Sequence, residues 1–181
     1  MQIEIRLATI DDIPLLERLI SESVRGLSAG YYTTDQSESA LAHIFGVDTQ
    51  LIEDNTYYVA ESQNQLVGCG GWSKRKTLYG GDQAKPAAPD PLLDPVTEGA
   101  RIRAFFIHPA WARRGIGRCI IEVCERAARQ AHFKRAELVA TLPGEPLYKA
   151  CGYEVAERFD IDLPAGIKLP VARMVKVIAD S

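Results

Sequence analysis

The chain has 181 residues, 46% apolar and 25% charged, with a formal net charge of -3. That length fits one domain over residues 1–181, large enough to bury a real core. The mild acidity leaves no polyanion footprint, so nucleic acid is not an expected partner, and no apolar run approaches the ~20 residues of a membrane span.

Residues 2–8, QIEIRLA, alternate Ile3, Ile5 and Leu7 with polar neighbours, the period-two pattern of a half-buried strand. Thr9, Asp11 and Asp12 offer acceptors for a helix start, and Ile13, Leu16, Leu19, Ile20 and Val24 recur at helical spacing to about Arg25. Gly26 to Gly30 breaks this helix. Thr33 with Gln36 forms a capping-box pattern, and Ala40, Leu41, Ile44 and Phe45 make one face of a second helix ending near Gly46.

Residues 56–61 and 65–72 read as the two strands of a hairpin. Gly68, Gly70 and Gly71 in the return strand point to close backbone approach or a bulge. From Ser73 to about Val96 the pattern dissolves into a proline-rich loop, with Lys74 to Tyr79 available to extend the preceding strand.

The next strand, from Glu98 to Ile107, sets Ile102, Ala104 and Phe106 on one face and Arg101, Arg103 and Phe105 on the other. Phe105-Phe106-Ile107 is apolar on both faces, as a central strand with a bulge would be. A long helix starting near Gly115 and running to Gln130 is predicted to bury Ile116, Cys119, Ile120, Val123 and Ala127, with Glu122, Glu125, Arg126 and Arg129 in water. A strand over 134–140, a short helix over 143–150 closed by Gly152, and strands over 153–161 and 169–178 around a turn at Pro164–Gly166 complete the order β-α-α-β-β-β-α-β-α-β-β. This is a mixed α/β sequence. The polar start is not a signal peptide, and Cys69, Cys119, Cys124 and Cys151, without CxxC spacing, read as reduced and mostly core thiols of a cytoplasmic protein. Three scattered histidines give no metal-ligand spacing; His108 and His132 read as turn and helix-end residues.

The chemistry concentrates at Arg113 to Arg118, a basic loop feeding a helix start, where backbone amides and the helix dipole favour an anion. A nucleotide-hydrolysing loop needs Lys-Ser/Thr after its last glycine, and here Arg118-Cys119 follows Gly117. A dinucleotide fingerprint needs a third small residue where Ile120 stands. A pyrophosphate held close to the two glycines, or a plain strand-to-helix turn, remain.

HPAWARRGIGR, followed by a helix, a strand and PLYKACGY, resembles the acetyl-CoA-dependent GCN5-related N-acetyltransferase superfamily. The motif of that family is Gln/Arg-x-x-Gly-x-Gly/Ala at the start of the long helix, with a Tyr four residues before Gly-Phe/Tyr. Ala112 stands where the family usually has Arg or Gln, with Arg113 beside it to supply the charge, and Thr141 stands where many members have Asn. The resemblance implies the acyl-CoA N-acyltransferase fold: a mostly antiparallel sheet of about seven strands with a parallel splayed pair, flanked by about four helices. It implies acetyl-CoA with its pantetheine arm on Phe105, Phe106 and Ile107, and its diphosphate on Ala112, Arg113, Arg114, Gly115, Ile116, Gly117 and Arg118. Thr141 would lie near the same cofactor.

A neutral amine would attack the thioester, a strand amide near Phe106 would polarise the carbonyl, and Tyr148 would donate a proton, or a hydrogen bond, to the departing thiolate. Glu98 is the first candidate for a general base, ahead of Glu22 and Asp82. The acceptor pocket would draw on Tyr31, Tyr32, Trp72 and Tyr79 beside Gly80-Gly81-Asp82, aromatics with a carboxylate that suit a cationic amine. Trp111 would pack under the basic loop or against the adenine. The expected partner is thus a small-molecule or peptide amine, with a homodimer compatible. A catalytically silent acyl-CoA-binding module of the same fold is the alternative.

Overall fold

The structure is a computed structural model, described here for residues 2–180. Seven strands form one sheet in the order β1-β2-β3-β4-β5-β7-β6: β1 (Glu4–Leu7), β2 (Tyr57–Ser62), β3 (Gln65–Ser73), β4 (Ala100–Ile107), β5 (Arg135–Thr141), β6 (Glu154–Asp162) and β7 (Lys168–Val177). All neighbours are antiparallel except β4 and β5. Five α-helices accompany them: α1 (Ile13–Leu27), α2 (Thr34–His43), α3 (Thr49–Glu53), α4 (Ile116–Gln130) and α5 (Glu145–Ala150). The mixed, mostly antiparallel sheet with one parallel pair is the fold the sequence suggests, with α3 as a helix beyond the four expected.

Two core layers sandwich the sheet. On one face Ile116, Ile120, Ile121, Cys124 and Ala128 of α4 pack over Ala60, Val67, Ile102, Leu138 and Met174. On the other, Leu16, Leu19, Ile20 and Val24 of α1 and Leu51 of α3 pack over Tyr57, Val59 and Cys69. A third cluster joins Tyr32 and Ala40 to Ile161, Leu169 and Val171. The capping box at Thr33 is formed: its hydroxyl accepts from Gln36 N, and Gln36 Oε1 accepts from Thr33 N.

The α4 stripe differs from the sequence expectation. Cys119 is exposed, and Glu125 is buried. Lys176 donates to both Glu125 oxygens at 2.8 and 2.9 Å, and Tyr153 donates to Oε1 at 3.0 Å. A carboxylate so paired can enter the core, and its burial turns the helix so that Ile121 and Cys124 face inward.

The decisive local feature is a bulge in β4. Arg103 pairs with Gly71 and Phe106 with Cys69, so Ala104 and Phe105 together oppose Gly70. Ala104 takes the left-handed backbone, φ 56. The bulge overturns the simple alternation: Ile102, Phe105 and Ile107 share the α4 face, while Ala104 and Phe106 join the α1 face. Gly70 makes room for it, since a Cβ there would meet the Phe105 ring at 2.6 Å. Residues 74–93 form no extension of β3. They fold back through an isolated Arg75–Leu92 bridge, pinned by Arg75 on Asp54 at 2.8 and 2.9 Å.

Candidate active site

β4 and β5 pair only at Ala100–Ala136 and Arg101–Glu137. Beyond that point they diverge, and β4 from Ile102 to Ile107 lines a cavity of about 540 Å³. Opposite walls come from Val139 and Thr141 of β5 and from Leu147 and Tyr148 of α5. An extended backbone with one open edge can take an extended ligand as it would take another strand. Phe106 faces Cys69 across the β3 ladder, whereas Ile107 N turns away from β3 and donates to Ser23 Oγ at 3.2 Å.

At the mouth of this split the chain turns through a 3-10 segment, Pro109–Trp111, into α4. His108 Nδ1 accepts from Ala110 N at 3.1 Å, and its Nε2 lies 3.2 Å from Glu22 Oε2, so His108 shapes the turn as the sequence suggests. Arg113 (φ 62) and Gly115 (φ 84) both take left-handed backbone, and a Cβ on Gly115 would meet nothing within 4 Å. The first helical bond of α4 is the one that Cys119 N donates to Gly115 O at 3.1 Å, which leaves the amides before it for other acceptors.

Gly117 has another reason to be glycine. Its face is buried, and a Cβ would meet Leu147 Cδ2 at 2.6 Å. It lets α4 pack closely against α5. Ala112, Arg113, Gly115, Ile116 and Gly117 line the cavity. Arg114 lies 5.0 Å over the Trp111 ring, and Arg118, exposed, donates to Ala150 O at 3.4 Å. Trp111 itself packs partly buried under the loop. Thr141 lines the wall, but its Oγ1 accepts from Gly144 N at 3.2 Å, which ties it to the turn before α5.

Tyr148 projects into the cavity from α5, buried between Phe105 and Tyr153, both edge-on at ring distances of 6.2 and 6.1 Å. Its hydroxyl has no hydrogen-bond partner among the described residues. Burial, foremost, pushes its pKa well above the ordinary phenol value, so it stays protonated.

The acceptor-side residues divide. Tyr31 and Tyr79 line the cavity, half and over a third exposed. Tyr32 does not: it donates to Pro170 O at 2.6 Å and accepts from Leu142 N at 2.9 Å, clamping the α1–α2 loop to the sheet. Burial raises its pKa to about 12. Trp72 is also core, edge-on to Phe133 at 6.1 Å.

Glu98 lies at the paired end of β4, away from the split. It accepts from Asp94 N at 2.8 Å and sits 3.6 Å from Lys76, so it closes a turn and does not reach the cavity. Asp82 accepts from Thr49 N, also outside. Among the described residues, no Asp, Glu or His lines the cavity. Sequence reasoning missed Ser23 and Arg103, both buried in its wall. Arg103 carried a signal, a charge inside an apolar strand; Ser23, one small residue on a helix, carried none.

The described residues contain no helix long and apolar enough to cross a membrane. A family model, the acetyltransferase (GNAT) domain, matches residues 53–155. Among solved structures, a GCN5-related N-acetyltransferase from Rhodopseudomonas palustris superposes with TM-score 0.71 at 16% identity, over 98% of this chain and 96% of that one. The PaiA N-acetyltransferase of Thermoplasma acidophilum, in complex with coenzyme A, gives 0.66 at 16% identity, over 98% and 99%. YncA of Salmonella typhimurium, with its cofactor acetyl-CoA, gives 0.64 at 14% identity, over 100% and 96%. No curated protein matches the sequence.

Proposed function

The chain belongs to the GNAT acetyltransferase family, and from that premise we propose that it transfers the acetyl group of acetyl-CoA to a primary amine by direct attack. The observation that carries this reading is the β4–β5 split ending at a buried, protonated Tyr148 whose hydroxyl is unengaged. The residues present fit the cofactor: an open strand edge, a turn whose left-handed Arg113 and Gly115 bare the first amides of α4, and a cavity joining the two.

Bound there, acetyl-CoA supplies the activated thioester carbonyl. The backbone of Phe105 to Ile107 holds the pantetheine arm by main-chain hydrogen bonds, and an amide of this stretch polarises the carbonyl. The amides of Ile116, Gly117 and Arg118, with the helix dipole and Arg113, complement the diphosphate. Tyr148 donates its proton to the sulfur as the thiolate departs. The ring contacts with Phe105 and Tyr153 hold the phenol in one orientation, which a proton donor requires.

With no carboxylate or imidazole in the wall, the amine enters already neutral and loses its second proton to solvent. An acceptor panel following release of free CoA tests the reading. At least one primary amine is expected to raise release above hydrolysis. Release that no amine stimulates, in a protein that still binds acetyl-CoA, would leave only the silent binding module.

A further inference from the structure

The cavity wall includes Leu27, Tyr31, Phe45, Leu78 and Tyr79 and one buried charged group, Arg103. Only Arg113, at the diphosphate mouth, adds a second formal charge to the lining. The Arg103 side chain is 2% exposed. Its Nη2 donates to Gly80 O and lies 2.8 Å from Asp48 Oδ2. Its Nε is buried without a partner, and Nη1 has none among the described residues.

Asp48 does not balance it alone, because Lys85 pairs with the same buried carboxylate. Two cations thus share one directly paired anion, while Asp90 and the half-exposed Asp82, 3.7 Å from Lys85, act on Arg103 only through space. The cost of burying Arg103 outweighs the attraction of Asp48, so its pKa is lowered despite the ion pair. A buried guanidinium with unused donors is expensive unless an acceptor completes it.

We infer that the acceptor is an apolar amine bearing a carboxylate, with the carboxylate docked on the free donors of Arg103 and the apolar body between Tyr31, Phe45 and Tyr79. This replaces the cationic acceptor that the aromatic loops suggest from sequence, since no carboxylate is there to hold a second ammonium. The identity of the group as an acceptor rests on the transferase reading; the anion site does not.

The test is therefore binding. The wild-type protein saturated with CoA is titrated calorimetrically with matched product pairs: N-acetyl-phenylalanine against N-acetyl-phenethylamine, and N-acetyl-leucine against N-acetyl-isoamylamine. The carboxylate member is expected to bind about 10- to 100-fold more tightly, the range of a charge-assisted hydrogen bond. Arg103→Gln, checked for folding by circular dichroism, should erase the preference; the wild-type pairs decide if that variant does not fold. Equal binding, tighter binding of the neutral member, or no binding of either overturns the inference. Parallel CoA-release assays keep the two readings apart. Turnover of phenethylamine or spermidine but not of phenylalanine sinks the anion site and leaves the transferase. Carboxylate-selective binding without turnover of any amine does the reverse.

Discussion

The two ends of β4 share one strand and differ in almost everything else. At Arg101 the strand is paired on both edges, with Ser73 of β3 and Glu137 of β5, and the Arg101 side chain is tied to Glu137 at 2.9 Å. From Ala104 on, a bulge and a diverging neighbour leave the β5-side edge unpaired by strand. The first end is saturated and holds the sheet together; the second keeps polar backbone at a cavity wall, which is costly unless a ligand or water completes it. On the proposed reading the chemistry sits where pairing is withheld, while Glu98, at the saturated end, is engaged with Asp94 N and Lys76.

Breaking the open end at its proposed proton donor should have the largest effect. Tyr148→Phe keeps the ring packing against Phe105 and Tyr153 and removes only the hydroxyl. Turnover is expected to fall by at least ~100-fold, with acetyl-CoA affinity little changed in a direct titration. Unchanged turnover would remove Tyr148 from the chemistry.

The pH profile sharpens the same contrast. The raised pKa of Tyr148 keeps its proton in place past pH 10, and no carboxylate or imidazole in the wall titrates below. The apparent kcat/KM should rise about tenfold per pH unit up to the pKa of the acceptor amine itself and then level. A plateau beginning near pH 5–6 with an acceptor of ordinary amine basicity would reveal a base on the protein.

The two glycines of the loop should separate next. Gly115→Val forces a branched side chain into left-handed backbone and disturbs the turn that bares the α4 amides, so acetyl-CoA binding should weaken about tenfold. Gly117→Val instead drives a side chain into Leu147, so its main effect should be about 1–3 kcal/mol of stability, read as a lower Tm. A selective loss of cofactor affinity in Gly117→Val, without loss of stability, would restore the simpler view that both glycines face the diphosphate. The smallest effect belongs to the saturated end: Glu98→Gln should leave kcat within about twofold, the scale of a surface substitution. A large loss of kcat would mean that Glu98 acts on the amine after all.

The legibility of the sequence follows the same division. The open end was visible because it depends on backbone geometry, and backbone geometry leaves local marks: the glycines of 115 and 117, the apolar run Phe105 to Ile107, and Tyr148 four residues before Gly152. The strand order and the capping box at Thr33 were equally local. What escaped depends on partners far along the chain. Glu125 can be buried only because Tyr153 and Lys176 come to it from β6 and β7. The β4 bulge moved Phe105 onto the face of Ile102, which simple alternation denies. The five-residue α3, with Leu51 as its one buried side chain, is too short for periodicity to register. Tyr32 and Trp72 looked like pocket aromatics and are clamps and core, because hydroxyl and ring partners lie 100 residues or more away for Tyr32, at Pro170 and Leu142.

Amide hydrogen exchange with and without acetyl-CoA tests the central claim most directly, because it reads the backbone on which that claim rests. New protection should appear over residues 105–107, over 113–118 and at the β5–α5 wall from Thr141 to Tyr148, and little should change around Glu98 and Ala100. Protection centred on the paired end of β4, or none in the split at saturating acetyl-CoA, would contradict the account.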